Sequence, residues 1–412
     1  MPTVLSDPLR RKFTASLMWG IFGALILGVF FLGLFLTNNS QGFKKFISPI
    51  VERESPYEVF GFAPFWTLSK MDNIDWDVLT TFAYFSLPLN ADGTIDKNSH
   101  EWSVFEGDKL SSLFQKAKNH QVKRVVTLTQ MDASTIEVFL ENPEAWNKLA
   151  YESVDVIKSR DLDGVNIDIE YIPSNNHLKD QFSQFVQIYS GILNKNLDDP
   201  YITVSVLASS ARFNRIYDVG KLAEATDGVF MMAYDFYYPG SETIGPSAPL
   251  YGYNGGKGPF WYDVSTAVDD FLKVASADKI IMGVPYYGWT YPAAAEAAPK
   301  SDRNLGLKAF ATTLEKAQNN KLLSTTPIGG WDSQAQVAWR GYWDDNGWHV
   351  VYMEDEKSLS IKYDFAKEKK LAGVGMWALG FDADSDNMWS VLAGKFDDEF
   401  LSSNNTNQSW IF

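Results

Sequence analysis

The stretch DGVNIDIEYIP, residues 163–173, alternates apolar and polar side chains in the pattern of a β-strand. Its two faces consist, respectively, of Val165, Ile167 and Ile169, and of Asn166, Asp168 and Glu170. Strands enclosed within a protein are usually continuous apolar runs. Burying an ionised carboxylate is costly unless it is paired or hydrogen-bonded. The polar face of this strand therefore either meets water or takes part in chemistry.

Seven further strand-like runs occur along the chain, and amphipathic helical patterns separate them. With the first stretch they cover residues 58–66, 79–87, 123–131, 163–171, 201–209, 227–236, 279–289 and 371–381. Eight strands alternating with helices predict a parallel sheet closed into a (β/α)8 barrel, the TIM barrel. The alternative is an open doubly wound sheet, which is disfavoured because no glycine-rich phosphate loop follows any of the runs.

One interval interrupts the alternation of strands and helices. We predict that residues 291–352 form a small inserted α+β lobe between the seventh and eighth strands, followed by a helix over 356–370. A lobe inserted at the carboxyl ends of barrel strands would form one wall of a cleft. The barrel domain as a whole is predicted to cover 57–398, and a polar tail covers 399–412.

The N-terminal region carries a long uncharged segment at 13–37. At about 1.5 Å per residue a helix of this length crosses a hydrocarbon layer of ~30 Å. Arg10, Arg11 and Lys12 precede the segment, so the positive-inside rule predicts a cytoplasmic stretch at 1–12 and a membrane-anchored, extracytoplasmic body. Residues 38–56 are then a juxtamembrane linker. A cleaved signal peptide is the alternative, but the apolar run is longer than such peptides usually have.

Composition excludes several classes of function. The net charge of -15 argues against nucleic acid as a partner, because nucleic-acid binding needs a basic surface. The chain has no cysteine, and its four histidines lack metal-ligand spacing, so neither a thiolate nucleophile nor a zinc site is predicted. Aromatic residues make up 15% of the chain, and a surplus of Trp and Tyr suits the flat faces of sugar rings.

Polar and aromatic residues collect where the predicted strands end. In a (β/α)8 barrel the active site lies at the carboxyl ends of the strands. Candidates at these ends are Glu170 on the fourth strand, Tyr234 and Asp235 on the sixth, Tyr286 and Tyr287 on the seventh, and Trp377 on the eighth. We expect crowding by Asp168, together with desolvation, to raise the pKa of Glu170 and keep it protonated. A protonated carboxyl group is what general-acid cleavage of a glycosidic bond requires.

These motifs together resemble glycoside hydrolase family 18, the chitinase and N-acetylglucosaminidase family. DGVNIDIE resembles the family signature D-x-x-D-x-D-x-E, and the resemblance extends over about residues 57–396. Four more motifs follow in the family's order: MAYDF at 232–236, APLYG at 248–252, GVPYYGW at 283–289 and GVGMWALGFD at 373–382.

The resemblance implies a retaining mechanism in which the acetamido group of the substrate is the nucleophile, with no metal or cofactor. It implies that Glu170 is the acid and base, that Asp168 orients the acetamido group and that Tyr234 hydrogen-bonds it. Trp377 would lie under the reacting sugar. The residues expected to bind substrate are Asn166, Met232, Asp235, Trp377, Tyr286 and Trp66. The substrate expected from the family is a β-1,4-linked glycan containing N-acetylglucosamine, of peptidoglycan or chitin type.

Two positions differ from the family pattern. Asn166 stands where the signature has its second Asp, and a GVNID sequence resembles the subgroup that acts on bacterial cell-wall glycan. The third strand ends in TLTQMD, where many chitinases have a Gly-Gly pair. Two alternative functions remain: a catalytically silent, lectin-like protein of the same fold, and an enzyme that releases glycans from glycoproteins by the same chemistry.

Overall fold

The computed structural model describes residues 57–173, 177–293, 307–319, 328–382 and 386–396. The predicted cytoplasmic, membrane and linker segments (1–12, 13–37 and 38–56) and the predicted tail (399–412) lie outside these ranges. In the part of the chain that is described, no helix combines the length and apolarity needed to cross a bilayer.

The described residues form thirteen strands. In chain order they are β1 (Glu58–Pro64), β2 (Thr81–Pro88), β3 (Lys123–Gln130), β4 (Gly164–Ile169), β5 (Tyr201–Leu207), β6 (Gly228–Met232), β7 (Ile280–Pro285), β8 (Tyr287–Pro292), β9 (Phe310–Thr313), β10 (Ile328–Asp332), β11 (Val337–Asp344), β12 (Gly347–Met353) and β13 (Gly373–Trp377). Strands β1 to β7 and β13 pair in parallel and close into a barrel in the order β1-β13-β7-β6-β5-β4-β3-β2. Seven of these strands lie within the predicted runs and β2 extends one residue beyond its run, so the predicted barrel is confirmed.

Helices return the chain from the carboxyl end of one barrel strand to the amino end of the next. The described α-helices are α1 (His100–Phe105), α2 (Asp108–Asn119), α3 (Ala133–Leu140), α4 (Pro143–Arg160), α5 (Leu178–Asn196), α6 (Val219–Ala225), α7 (Val264–Phe271), α8 (Leu314–Asn319), α9 (Glu356–Glu368) and α10 (Asp386–Phe396). Short polar side chains cap several of their first turns, because the first N–H groups of a helix have no partner within it. Asn142 caps α4 just before Pro143, and Asp355 forms a capping box with Ser358 at the start of α9.

A second, antiparallel sheet follows β7, with strand order β10-β11-β12-β8-β9. This sheet, together with α8, is the predicted inserted lobe, and α9 is the predicted helix after it. The lobe begins at Tyr287 rather than Tyr291, because the predicted seventh run contains two strands. The Tyr286 N–H donates to the Trp377 carbonyl at 2.7 Å, which is a contact to the barrel, whereas Tyr287 pairs with Thr313 of the lobe.

The alternation of strand β4 predicts that its apolar face packs against helices and that its polar face points into the barrel, and the structure has this arrangement. Val165, Ile167 and Ile169 are buried in the cluster that the surrounding helices share, outside the barrel. A separate apolar cluster fills the interior, with Phe230 at its centre, 4.8 Å from the ring of Phe62. The consequence is that the polar row of β4 shares the barrel interior with aromatic side chains and emerges at the carboxyl ends of the strands.

Candidate active site

The polar residues of β4 lie at successive depths in the barrel. Asn166 is fully buried, Asp168 is 4% exposed, and Glu170 follows the end of the strand and is partly exposed. The Glu170 N–H donates to the Gln130 carbonyl at 3.0 Å, so the main chain still follows β3 at this point. The strand therefore presents a carboxyl group at the mouth of the barrel and a second carboxyl group directly beneath it.

The end of β6 brings Tyr234 and Asp235 to the same mouth. Asp235 has a backbone φ of 57°, in the left-handed region that Asp tolerates better than most residues. Its Oδ1 accepts hydrogen bonds from Tyr287 Oη at 2.5 Å, from Trp289 Nε1 at 2.9 Å and from Ser247 Oγ at 3.1 Å. Tyr287 and Trp289 both belong to β8, so the inserted lobe holds this carboxylate in place.

Burial raises the pKa of each of the three carboxyl groups. The pKa of Asp168 lies well above its ordinary value because of desolvation first and the neighbouring Glu170 carboxylate second. Desolvation, followed by repulsion from Asp235, raises the pKa of Glu170. The expected rise at Glu170 is thus present, but the charge that adds to desolvation belongs to Asp235, whereas the sequence had pointed to Asp168. The pKa of Asp235 is raised by desolvation and lowered in part by its three hydrogen bonds.

Asp168 has an unsatisfied acceptor. Its Oδ1 is buried and has no hydrogen-bond partner among the described residues. A buried polar atom without a partner costs about 1–3 kcal/mol, and this one belongs to a carboxyl group at the end of the barrel where catalytic residues lie. Tyr234 stands beside this carboxyl group closely enough that the charges of Asp168 and Glu170, after desolvation, raise the pKa of its phenol well above the ordinary value. The raised pKa favours the neutral phenol, which can donate a hydrogen bond.

These side chains line a cleft of about 790 Å³ at the carboxyl ends of the barrel strands. Trp377 contacts Phe85 edge-on at 4.6 Å and Phe62 at 5.6 Å, and the ring of Trp66, 49% exposed, lies 6.4 Å away. The remaining large apolar side chains of the cleft are Met131, Ile172, Leu207, Met232, Phe236, Tyr238 and Trp261. The cleft is thus a groove with aromatic walls and three carboxyl groups, which suits a sugar chain because sugar rings have apolar faces and polar edges.

Two of the predicted substrate-binding residues do not line the cleft. Asn166 does not line the cleft, because it lies below Asp168, where its Nδ2 donates to Ser205 Oγ at 3.0 Å and its Oδ1 accepts from Thr203 Oγ1 at 2.9 Å. Tyr286 is also absent from the cleft, because its ring points away from the barrel interior and its hydroxyl lies 3.1 Å from the Tyr363 hydroxyl. The next residue, Tyr287, occupies the cleft in its place.

The other predicted site residues are brought together. Seven of the nine line the cleft: Trp66, Asp168, Glu170, Met232, Tyr234, Asp235 and Trp377. Sequence reasoning missed Arg215 and Trp261, which lie in loops without a periodic pattern. Alternation along β7 would have favoured Tyr287 over Tyr286. Ile281 faces the barrel interior, and Tyr287, an even number of residues further on, faces the same way, whereas Tyr286 does not.

A second cavity, of about 450 Å³, lies at the opposite end of the barrel. Arg124, which lines this cavity, forms ion pairs with Asp163 at 2.8 Å and with the nearby Asp161 at 3.0 Å. The amino ends of barrel strands usually serve stability and not catalysis. The cleft at the carboxyl ends is therefore the candidate active site.

Comparison with known proteins finds relatives that are named as a glycosylase and a chitobiase. The chain is 27% identical over 263 residues to the putative sporulation-specific glycosylase YdhD of Bacillus subtilis, which is 62% of this chain and 56% of that protein. It is 25% identical over 272 residues to human di-N-acetylchitobiase, covering 59% of this chain and 67% of the relative. The matched region thus spans little more than half the length of YdhD.

Solved structures share the fold. The Group IV chitinase of Ostrinia furnacalis superposes with a TM-score of 0.71 at 21% identity, over 82% of this chain and all of that one. The spore cortex-lytic enzyme SleL of Bacillus megaterium QM B1551 superposes with a TM-score of 0.65 at 19% identity, over 83% of this chain and 74% of that one. The family profile described as glycosyl hydrolases family 18 matches residues 58–382, so the chain belongs to that family.

Proposed function

We propose that this chain is a retaining glycoside hydrolase that cleaves β-1,4-linked glycans containing N-acetylglucosamine, of peptidoglycan or chitin type. The observation that carries the proposal is the pair formed by Asp168 on β4 and Glu170 just after its end, both with raised pKa values, in an aromatic cleft. Relatives named as a sporulation-specific glycosylase and a di-N-acetylchitobiase support this class of substrate.

Glu170 is the proposed general acid. Its raised pKa keeps the carboxyl group protonated at a pH where an ordinary glutamate is ionised, so that it can donate a proton to the glycosidic oxygen as the bond to the anomeric carbon breaks. The resulting carboxylate then takes a proton from the water that attacks the anomeric carbon. The two steps return Glu170 to its starting state.

The substrate's acetamido group is the proposed nucleophile. Its carbonyl oxygen attacks the anomeric carbon from the face opposite the leaving group, and water then reopens the ring that forms, with net retention. Asp168, with its unpaired buried Oδ1, is suited to accept the acetamido N–H and to stabilise the positive charge that develops there. The neutral Tyr234 hydroxyl donates a hydrogen bond to the same group, and Trp377 provides an apolar surface for the sugar ring.

Product analysis tests the proposal. The purified full-length chain is incubated in parallel with chitooligosaccharides and with peptidoglycan fragments, and the products are examined by mass spectrometry and by NMR at early times. We expect new reducing-end N-acetylated sugars whose first-formed anomer is β. A first-formed α anomer would contradict the mechanism. Binding without any cleavage of either glycan would instead favour the lectin-like alternative, and release of glycans from a glycoprotein would favour the third function.

We also propose that residues 13–37 anchor the enzyme in a membrane, with residues 1–12 in the cytoplasm and the barrel outside it. The support is the uncharged length of the segment and the basic residues before it. Fractionation of expressing cells, followed by protease treatment of intact spheroplasts, tests the arrangement. The barrel should sediment with membranes and be degraded from outside. A soluble barrel that begins after residue 37 would support a cleaved signal peptide instead.

A further inference from the structure

One basic side chain lies among the acidic residues of the cleft. Of the described residues that line it, Asp168, Glu170 and Asp235 are acidic and only Arg215 is basic. Arg215 is carried by the loop between β5 and α6. In the closed strand order β5 stands four places from β1, so this loop lies across the barrel mouth from Trp66, which follows β1.

Arg215 has no counter-ion among the described residues. Its Nη1 donates to the Asn214 carbonyl at 2.8 Å, but its Nε is buried without a hydrogen-bond partner. By contrast, Arg212 in the same loop donates from Nε to Asp270 at 2.5 Å. The unpaired guanidinium is therefore a specific property of Arg215 and not of the loop.

The guanidinium of Arg215, without a counter-ion, destabilises the protein when no ligand is bound. Burial lowers the pKa of Arg215 from its ordinary value, which means that the surroundings disfavour the charge. A guanidinium nevertheless remains protonated in proteins at neutral pH. Leaving such a charge in a partly buried site without an anion costs free energy that a bound anion can recover.

We propose that Arg215 binds a carboxylate carried by a sugar of the substrate, so that the cleft selects N-acetylated glycans bearing an acidic ether substituent over neutral ones. This inference rests on the proposed function and chooses between its two substrate types. The lactyl ether carboxylate on alternate sugars of peptidoglycan strands has the required chemistry where the stem peptide has been removed and the group is free, whereas chitin has no charge. The planar fork of a guanidinium matches a carboxylate with two parallel hydrogen bonds.

The acidic surroundings limit what the anion can be. Three carboxyl groups line the same cleft, and the chain has a net charge of -15. A polyanion such as a sulfated or phosphorylated glycan would be repelled by these charges along its length. A single carboxylate on alternate sugars meets Arg215 with the least repulsion elsewhere, which is why we assign a carboxylate.

A matched pair of substrates tests the assignment. Peptidoglycan glycan strands freed of peptide are used as such and after chemical reduction of their lactyl carboxylates to alcohols, so that the two differ only in charge. The ratio of kcat/KM for the carboxylate form to that for the reduced form is measured with the full-length chain. We expect the ratio to exceed ten in the unaltered protein and to fall ten- to hundredfold in Arg215→Gln, because a charge-assisted hydrogen bond is lost.

Two further variants separate charge from structure. Arg215→Lys, which keeps the charge but not the fork, should retain an intermediate ratio. Lys221→Gln removes one positive charge from an exposed side chain nearby in the sequence and outside the cleft, and should leave the ratio unchanged. Thermal unfolding of each variant verifies that it is folded, and a ratio formed within one variant does not depend on its active fraction.

The outcomes are distinct. A ratio near one in the unaltered protein, or an unchanged ratio in Arg215→Gln, overturns the role of Arg215 while leaving the proposed hydrolase function intact, because both glycans are still cleaved. If neither glycan is cleaved, the proposed function fails. The same ratio is then measured from dissociation constants, where a selective loss in Arg215→Gln would still support the carboxylate site and an unchanged ratio would overturn it.

Discussion

The polar side chains at positions 166, 168 and 170 lie at different depths in the barrel and therefore have different surroundings. Glu170 is at the mouth, Asp168 is beneath it with a free acceptor, and Asn166 is at the bottom with both ends of its amide engaged. Because desolvation increases with depth, a carboxyl group at the bottom would be harder to ionise than one at the mouth. The amide at position 166 therefore limits the number of carboxyl groups in the row to two.

The amide of Asn166 can be tested by a nearly isosteric change. Asn166→Asp removes the donor to Ser205 and adds a buried carboxyl group next to Asp168. Burial raises the pKa of the new group, so its cost is absent below about pH 4, the ordinary Asp value, and grows as pH rises above it. We expect the free energy of unfolding in urea to fall by about 1–3 kcal/mol at pH 7 and by less at pH 4.

Asn147→Asp, an exposed change on α4, is the control and should show almost no change in stability at either pH. Equal losses for Asn166→Asp at pH 4 and pH 7 would mean that ionisation is not the cause, and that the lost donor to Ser205 on β5 sets the cost instead.

The proposed acid role of Glu170 predicts the pH dependence of activity. Activity falls as pH rises through the pKa of the acid, so the alkaline limb of kcat/KM should lie above the ordinary glutamate value of about 4.3. Because Asp235 helps to raise this pKa, Asp235→Asn should move the limb to lower pH. Asp180→Asn removes an exposed carboxylate and should not move it. A rate indifferent to pH between about 4 and 9, or a limb that moves upward in Asp235→Asn, would contradict the assignment.

At the scale of secondary-structure elements, both the barrel and the lobe contribute residues that line or support the cleft. Strand β7 ends in the barrel wall, and β8 begins after one intervening residue and pairs with the lobe. Two adjacent tyrosines at this junction consequently have opposite environments: Tyr286 is against Tyr363, and Tyr287 is against Asp235. The junction allows an inserted element to hold a carboxylate that belongs to β6.

Removing one hydroxyl from each tyrosine tests this division. Tyr287→Phe removes a hydrogen bond to the Asp235 carboxylate, and we expect kcat/KM on chitooligosaccharides to fall about tenfold or more, since bonds to charged groups are worth about 1.5–3 kcal/mol. Tyr286→Phe loses only the contact with Tyr363, and should lower the unfolding midpoint slightly with kcat/KM retained. A larger loss of activity in Tyr286→Phe would restore the original prediction for that residue.

The barrel interior depends on two glycines that face one ring. A Cβ placed on Gly375 would lie 2.3 Å from Phe230 Cε2, and one on Gly283 would lie 2.7 Å from Phe230 Cε1. Phe230 is fully buried between Phe60 and Phe62, so it has no free space into which to move. The motifs GVPYYGW and GVGMWALG therefore contain glycine for a reason of packing as well as of family signature.

Gly375→Ala should destabilise the protein by about 1–3 kcal/mol or more, because an added methyl group strains a packed interior. Gly191→Ala is the matched control: it lies in α5 with no atom within 4 Å of the added carbon, and should stabilise by about 0.5–1 kcal/mol through helix propensity. Urea unfolding of both variants measures the difference. Equal stability of the two would show that Phe230 does not restrict the interior.

At the scale of the whole molecule, periodicity predicted the barrel well because strands and helices are repeated features. Seven of the eight strands lie within the predicted runs, β2 extends one residue beyond its run, and the outward face of β4 is as expected. The sequence did not predict correctly which residues line the cleft at two positions. Tyr286 points away from the barrel interior, which strict alternation would have indicated. Asn166 faces the interior but lies too deep to reach the cleft. Alternation gave no information on loops such as that of Arg215, whose position depends on chain contacts and not on a repeat.

Asp235 is a further residue whose position in the cleft alternation does not predict. Tyr234 follows the inward alternation of β6, so the next residue should point outward. Asp235 reaches the cleft because its backbone adopts a positive φ and three donors hold its carboxylate. Two of those donors come from the lobe, more than fifty residues later in the chain. No local pattern contains that information: the sequence pointed to Asp235 because it follows the sixth predicted strand, and the family resemblance implied its contact with substrate.

The central claim is that Glu170 delivers the proton that breaks the glycosidic bond in a cleft that binds N-acetylated glycan. The most direct measurement compares the unaltered chain with Glu170→Gln on one N-acetylglucosamine oligosaccharide, with turnover followed by mass spectrometry and binding by calorimetry. The account predicts a loss of turnover of at least about a hundredfold, with the dissociation constant nearly unchanged. Turnover by Glu170→Gln at the rate of the unaltered chain would contradict it.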